Sequence, residues 1–505
     1  MTTNFPVQDV NSRAVYGSNR AASFIRDAMA GTDSLDVVVF GDSNAGSDGA
    51  QGYTLGWLNA LSSVGIPMYA TTMFMCSNVG SSNNRSGGSF GDFVKFNWTG
   101  DSQAGSTGTI YSLSNRVAAS DAEAIGLSDF LGSSSFDIKP NAFEFDVQFL
   151  PDAATYTSPA NGTGIAISSG HPLTEGTGAG GVELQYRVVY GKFPGGLSGN
   201  FRLRAMKSVN TLISGSASDI STDGGIAYGY ATATQNFTTP LSSVESTRIV
   251  CSWDGYNAGG DWTPVGPAAM IWHSIIKRAS KGYSVSNLNY YGGRTTTQLA
   301  TTINNGGKVF ESYLKELRER QIAAGGSGRV LWWHNSGING TETGASFVAG
   351  VSSIIDKVLQ TWGALGYPAS DIAFVVSTTH PTNEGQTGDF GWSQRRGEVV
   401  KASVGWIQGN NGYASNGVTL VDIGALISAK QLSERNLFSI YQDAKYESHL
   451  RAGPSTAESI TYFDGTSPTN GVRLYDTGFS SFPVINNNGY FVVCNLITQA
   501  LLNNA

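Results

Sequence analysis

Between residues 65 and 280 the chain shows no helical periodicity of any length, whereas on either side of that stretch short apolar strands alternate with amphipathic helices. A chain broken in this way reads as one layered domain interrupted by another of a different class. At 505 residues it also exceeds the usual size of a single hydrophobic core. Before the break, 19–30 (NRAASFIRDAMA) reads as a short amphipathic helix. Residues 36–40 (DVVVF) read as a strand buried on both faces, ending at Gly41-Asp42-Ser43-Asn44. A helix is expected from about residue 53 to 63, with Leu55, Leu58 and Leu61 on one side.

After the break the same rhythm resumes. Strands are expected at 283–290, 329–333, 371–377 and 417–423. Helices are expected from Thr296, over 308–323 with Phe310, Leu314, Leu317 and Ile322 on the apolar face, over 345–364, over 392–407, and from Gly489 to Leu502. The middle stretch instead carries alternating or aromatic-rich runs separated by Gly, Ser, Asn and Asp, among them FEFDVQF (143–149), VELQYRVVYGKF (182–193) and TRIVCSW (247–253). That is the pattern of an antiparallel β-sandwich or jelly roll. The expected fold class is therefore α/β: a three-layer α/β/α domain with a parallel sheet, made of residues 1–64 and 281–505, interrupted by an antiparallel β-sandwich over 65–280.

Composition narrows the function classes. The hydrophobic fraction of 40% and the aromatic fraction of 11% supply packed cores and exclude a disordered chain. A net charge of −7 without a Lys/Arg cluster argues against nucleic acid as a partner. No stretch approaches the ~18 apolar residues of a membrane span, and MTTNFPVQDVNSR lacks the basic and apolar regions of a signal peptide. The expectation is a soluble protein without a signal peptide. Low charge (14%) with 64 glycines is a composition common in extracellular and virion proteins, so assembly with other virion proteins is a further expectation. Cys76, Cys251 and Cys494 are three and far apart, which reads as buried thiols rather than a disulfide framework.

Ser43 follows the first buried strand and precedes a helix, where open α/β sheets place their ligands and where helix N–H groups favour an oxyanion. A serine needs a positioned base to act as a nucleophile. The segment VVVFGDSNAG (37–46) resembles the first block of the GDSL/SGNH hydrolase family. NYYGGRTTTQL (289–299) is similar to the second block and VLWWHNSGINGTETG (330–344) to the third, with Gly340 where the family usually has Asp. The resemblance implies Ser43 as nucleophile, and the Ser43 N–H, the Gly293 N–H and the Asn339 side chain as oxyanion donors. Each such donor typically lowers the barrier by roughly 2.7–4 kcal/mol.

The family's closing Asp-x-x-His does not occur before the last helix; Asp464-Gly-Thr-Ser467-Pro468 carries serine where the family has histidine. The base implied is His449, in YQDAKYESHLRAG (441–453), with Asp443 or Glu447 as acidic partner. His380, after strand 371–377, is the substrate contact or fallback base. His334 reads as a packing residue, His171 and His273 are given no chemistry, and Trp332 and Trp333 read as sheet packing. Gly176-x-Gly178-x-x-Gly181 matches a dinucleotide fingerprint only by letters, with no buried strand before it. The histidine spacing matches no metal site, so neither cofactor nor metal is expected. The resemblance implies ester hydrolysis, with O-acetyl groups on a glycan or acetylated polysaccharide as the substrate class. The alternative left open is a non-catalytic virion structural or glycan-binding protein on a degenerate scaffold.

Overall fold

The computed structural model describes residues 14–41, 52–75, 94–99, 148–149, 162–167, 173, 181–192, 200–208, 211–221, 224, 229–239, 247–252, 269–289, 295–336, 342–378, 399, 402–407, 413–423, 425–426 and 487–504. Five strands form a parallel sheet: β2 (Leu35–Gly41), β13 (Tyr283–Asn289), β14 (Val330–Asn335), β15 (Ile372–Ser377) and β16 (Val418–Val421), with the short β1 (Val15–Gly17) antiparallel on β16. Their order is β1-β16-β15-β14-β2-β13. The first expected strand thus lies inside the sheet, as its unbroken apolar run requires, and every residue of β2 is buried.

Alternation along each strand divides two cores. Val38, Phe40, Trp332, Phe374 and Leu420 face one side. There they meet α3 (Thr296–Asn304), α4 (Gly307–Ala324) and α5 (Gly344–Ala364). Val37, Val39, Trp333, Val375 and Val421 face the other side, against α1 (Arg20–Met29), α2 (Gly52–Ser63) and α6 (Asn487–Asn503). Both tryptophans pack in the sheet as expected, fully buried on opposite faces. Cys494 is buried on α6; Cys76 lies outside the described residues. Among the described residues no helix is long and apolar enough to cross a membrane.

Two antiparallel sheets account for the remaining described strands: β3 (Phe74–Met75), β4 (Val94–Thr99), β5 (Gln148–Phe149), β6 (Gly162–Ile167), β7 (Val182–Lys192), β8 (Asn200–Ser208), β9 (Thr211–Ser221), β10 (Gly229–Thr239), β11 (Thr247–Ser252) and β12 (Ala269–Lys277). One runs β10-β7-β12, with β3 and β5 both on β12; the other runs β4-β6-β11-β8-β9. Strands consecutive in sequence from β5 to β12 change sheet at every step except the β8–β9 hairpin.

Helix α4 lies between the parallel sheet and the β7–β12 sheet, and the sequence pattern captures only half of its role. Phe310, Leu314 and Leu317 are buried as expected, but Ile322 is 49% exposed. Twelve residues after Phe310, at about 100° per residue, it sits roughly 120° around the helix from that side chain. A second face carries Ser312, Glu316 and Arg320, spaced by four and all buried. Ser312 accepts from the Trp272 indole at 3.0 Å, and Glu316 receives Arg187 through two bonds of 2.6 and 3.0 Å. Arg320 grips Asp36 of β2 through two bonds of 2.7 and 3.1 Å and also donates to Ser284, Ser286 and the Thr71 carbonyl. Residues 66–73 bridge β13 and β12: Tyr69 N–H donates to Tyr283 O, and Lys277 N–H donates to Tyr69 O.

Arg320 and Asp36 are both fully buried. Replacing one partner leaves an uncompensated charge in the interior, which typically costs about 3–5 kcal/mol. Arg320→Met is therefore expected to lose about that much stability in urea unfolding. The pair Asp36→Leu with Arg320→Met is expected to recover at least half of the loss, and a double variant as unstable as the single one would contradict this account.

Candidate active site

The carboxyl ends of the parallel strands finish in register. Asn289 pairs with Gly41, Gly41 with Asn335, Asn335 with Ser377, and Ser377 with Val421, giving one straight row across the sheet. The chain leaves β2 towards β13 on one side and β14 towards β15 on the other, so the order reverses between β2 and β14. Such a switch point opens a crevice outside the carboxyl ends, the usual ligand position in open α/β sheets.

Every residue expected to carry chemistry follows this row in sequence, and all seven lie outside the described residues: Ser43, Gly293, Asn339, His380, Asp443, Glu447 and His449. Ser43 comes two residues after Gly41, Gly293 four after Asn289, Asn339 four after Asn335, and His380 three after Ser377. His449 is 28 residues past Val421.

Directly beneath the edge is a polar network that sequence reading missed. The Thr296 hydroxyl, at the start of α3, donates to Glu342 Oε2 at 2.7 Å, and Thr297 N–H donates to Glu342 Oε1 at 3.2 Å. The Ser336 hydroxyl lies 2.8 Å from that of Thr296 and 2.7 Å from His334 Nε2. Thr296 spends its proton on Glu342, so Ser336 donates to Thr296 and His334 donates through Nε2–H to Ser336. The chain of bonds therefore runs one way, from imidazole to carboxylate. Thr295 and Gln298 complete a capping box at the same helix start. Gly350 of α5 lies so close that a Cβ there would come within 2.8 Å of Thr296 Cγ2 and 3.0 Å of its carbonyl carbon. Nothing in residue type or spacing pairs Glu342 with Thr296; only the adjacency of β13, β2 and β14 brings their following segments together.

A second set of bonds staples the other half of the edge. Asn335 donates to Ser377 Oγ at 3.1 Å, and Ser377 donates to the His334 carbonyl at 3.2 Å. Thr378 donates to buried Asp422 at 3.3 Å and accepts from Ile423 N–H at 3.0 Å.

The described histidines are not bases. His334 is enclosed by Phe40 and Phe347, and burial pushes its pKa down to about 3. His273, hydrogen-bonded to Tyr186, is pushed down to about 3 by the same cause. A base this weak stands far from the pKa near operating pH that proton transfer favours. The packing role expected for His334 agrees with this burial.

No family model matches the chain, and no curated protein does. Among solved structures it is similar to a peptidoglycan O-acetylesterase, at 10% identity over 96% of this chain and 97% of that one, with a TM-score of 0.49. It is also similar to a family two carbohydrate esterase from Clostridium thermocellum in complex with cellohexaose, at 11% identity over 57% of this chain and 86% of that one (TM-score 0.18). A third likeness is to an acetyl xylan esterase from the rumen bacterium Butyrivibrio proteoclasticus, at 9% identity over 52% and 80%, TM-score 0.18. Likenesses at these scores establish neither family nor activity.

The two buried histidines set an acid limit on stability. Unfolded, each takes a proton near pH 6.5, whereas folded it resists protonation down to about 3. Their contribution is complete above pH 6.5 and is lost as pH falls towards 3, by about 1.4 kcal/mol per pH unit for each. Urea unfolding at pH 7.5 and pH 5 is expected to show about 2 kcal/mol of loss per histidine. His273→Gln, whatever its stability at pH 7.5, is expected to show the smaller acid loss; an unchanged pH dependence would refute the assignment.

Proposed function

We propose that the chain is a serine esterase of the SGNH type that removes O-acetyl groups from a glycan. One observation carries the reading. The three segments resembling the family's nucleophile and oxyanion blocks are far apart in sequence, yet the strands that precede them, β2, β13 and β14, are neighbours ending in register at a switch point. Every strand of a parallel sheet ends at this edge; the adjacency of these three is what lets the segments after them meet at one point.

In this reading Ser43 attacks the acyl carbon while His449, oriented by Asp443 or Glu447, takes its proton and returns it to the departing glycan hydroxyl. The Ser43 N–H, the Gly293 N–H and the Asn339 amide receive the oxyanion, and water then releases acetate by the same route. His380 contacts substrate or stands in as base. The domains are 1–64 with 281–505, and an inserted 65–280. The strand orders β5-β12-β7-β10 in one sheet and β6-β11-β8-β9 in the other support reading the insertion as a jelly-roll sandwich. A β-rich insertion within such a hydrolase suggests a glycan substrate. The sequence feature that favours a second reading, a non-catalytic scaffold serving binding or virion assembly, is the missing Asp-x-x-His.

Release of p-nitrophenol from p-nitrophenyl acetate separates the two. Wild type is expected to turn over, and Ser43→Ala and His449→Ala each to lose at least about 10³-fold in kcat, the size typical of removing a triad member. Loss with Ser43→Ala and His380→Ala, but not with His449→Ala, would move the base to His380. A folded wild type no faster than Ser43→Ala on this ester and on acetylated glycan would leave the scaffold reading.

A further inference from the structure

We propose that Glu342 is a positioning residue for the oxyanion-binding half of the site, acting through Thr296. The inference rests on the esterase reading above and names a residue that reading does not use. Ser336 and Glu342 come directly before and after residues 337–341, which include Asn339, and both are bonded to one hydroxyl, that of Thr296. Thr296 in turn is three residues after Gly293. A single buried side chain therefore ties together the residues on either side of the Asn339 segment and the helix start that follows Gly293. Donors that stabilise a tetrahedral oxygen act only if they are held where that oxygen forms, and small displacements far from the chemistry cost rate.

The arrangement is built for rigidity. Glu342 is 8% exposed, Ser336 1% and Thr296 fully buried. The carboxylate receives the Thr297 N–H inside the first turn of α3, where the helix dipole favours negative charge. Gly350 presses α5 onto the same turn, so Thr296 cannot retreat from the carboxylate. His334, fixed between Phe40 and Phe347, anchors the far end of the relay. A carboxylate is needed to set its direction. An amide at position 342 could present N–H where Thr296 now finds an acceptor, and the bonds back to His334 would then have to reverse.

The test compares wild type with Glu342→Gln, Thr296→Val, their combination and Ser43→Ala, on p-nitrophenyl acetate and by thermal unfolding. Glu342→Gln is expected to lower kcat roughly 10- to 100-fold while KM changes less than about 2-fold, since the lost interaction acts only in the transition state. Thr296→Val cuts the same link from the other side, and serves in its place if Glu342→Gln does not fold. The combined variant is expected to lose no more than the worse single one, as for residues acting as a unit. A kcat within about 2-fold of wild type in Glu342→Gln overturns the proposal. So does a kcat loss that tracks a rise in KM and a fall in melting temperature, because that is a folding defect. Should wild type itself be no faster than Ser43→Ala, the esterase reading fails and this inference with it. Activity in wild type with unaffected variants removes this inference alone.

Discussion

The pairing of Asp36 with Arg320 is the constraint on which the rest of the architecture hangs. It fastens α4 to the amino end of β2, and the same guanidinium reaches Ser284 and Ser286 of β13 and the Thr71 carbonyl on the bridging segment. A buried pair of this kind adds little net stability over an apolar substitute, but it tolerates few alternative arrangements. It therefore sets the rotation of α4, and through Glu316 and Ser312 that rotation sets where the β7–β12 sheet can sit. Arg187 and Trp272 of that sheet both meet polar partners on this face of the helix. The helix joins two sheets of different class into one interior, in which Val189, Ile271 and Trp272 share a core with Phe310 and Leu314.

Clamping β2 at its amino end leaves the opposite end for the proposed chemistry. There the in-register row from Asn289 to Val421 provides a level platform, and the network around Thr296 stiffens one side of it while Thr378 and Asp422 stiffen the other. Networks of this kind hold one geometry when their groups are satisfied. Around Thr296 the exception is His334 Nδ1, which has no hydrogen-bond partner among the described residues, and burial keeps that ring neutral rather than charged.

Much of the α/β layer was legible in advance. DVVVF, RVLWW and DIAFVVS are short apolar runs that only a strand buried on both faces explains, and β2, β14 and β15 fall on them within a residue or two. The helical stripe over 345–364 likewise became α5. The three-residue β1 was not read, because so short a segment is stabilised by its partner β16 rather than by any pattern of its own. Ser312, Glu316 and Arg320 were not read as a buried row for a related reason: residue type reports polarity, not whether a partner waits opposite. The same limit hid Glu342, which in sequence is one more polar residue of a loop before a helix.

By itself the sequence determined the strands β2, β14 and β15 and the helix α5, most of the apolar side of α4, and that a serine follows the first buried strand. These are properties of periodicity within one element, where neighbours in sequence are neighbours in space. Only the tertiary structure decided that β13 and β14 flank β2, that a helix is held between two sheets by charged groups, and that Thr296 meets Glu342. Those facts depend on contacts between positions 284 and 46 residues apart, in Arg320–Asp36 and Thr296–Glu342. No local pattern encodes them, because the energy that selects them exists only once the elements have packed and water has been excluded from between them.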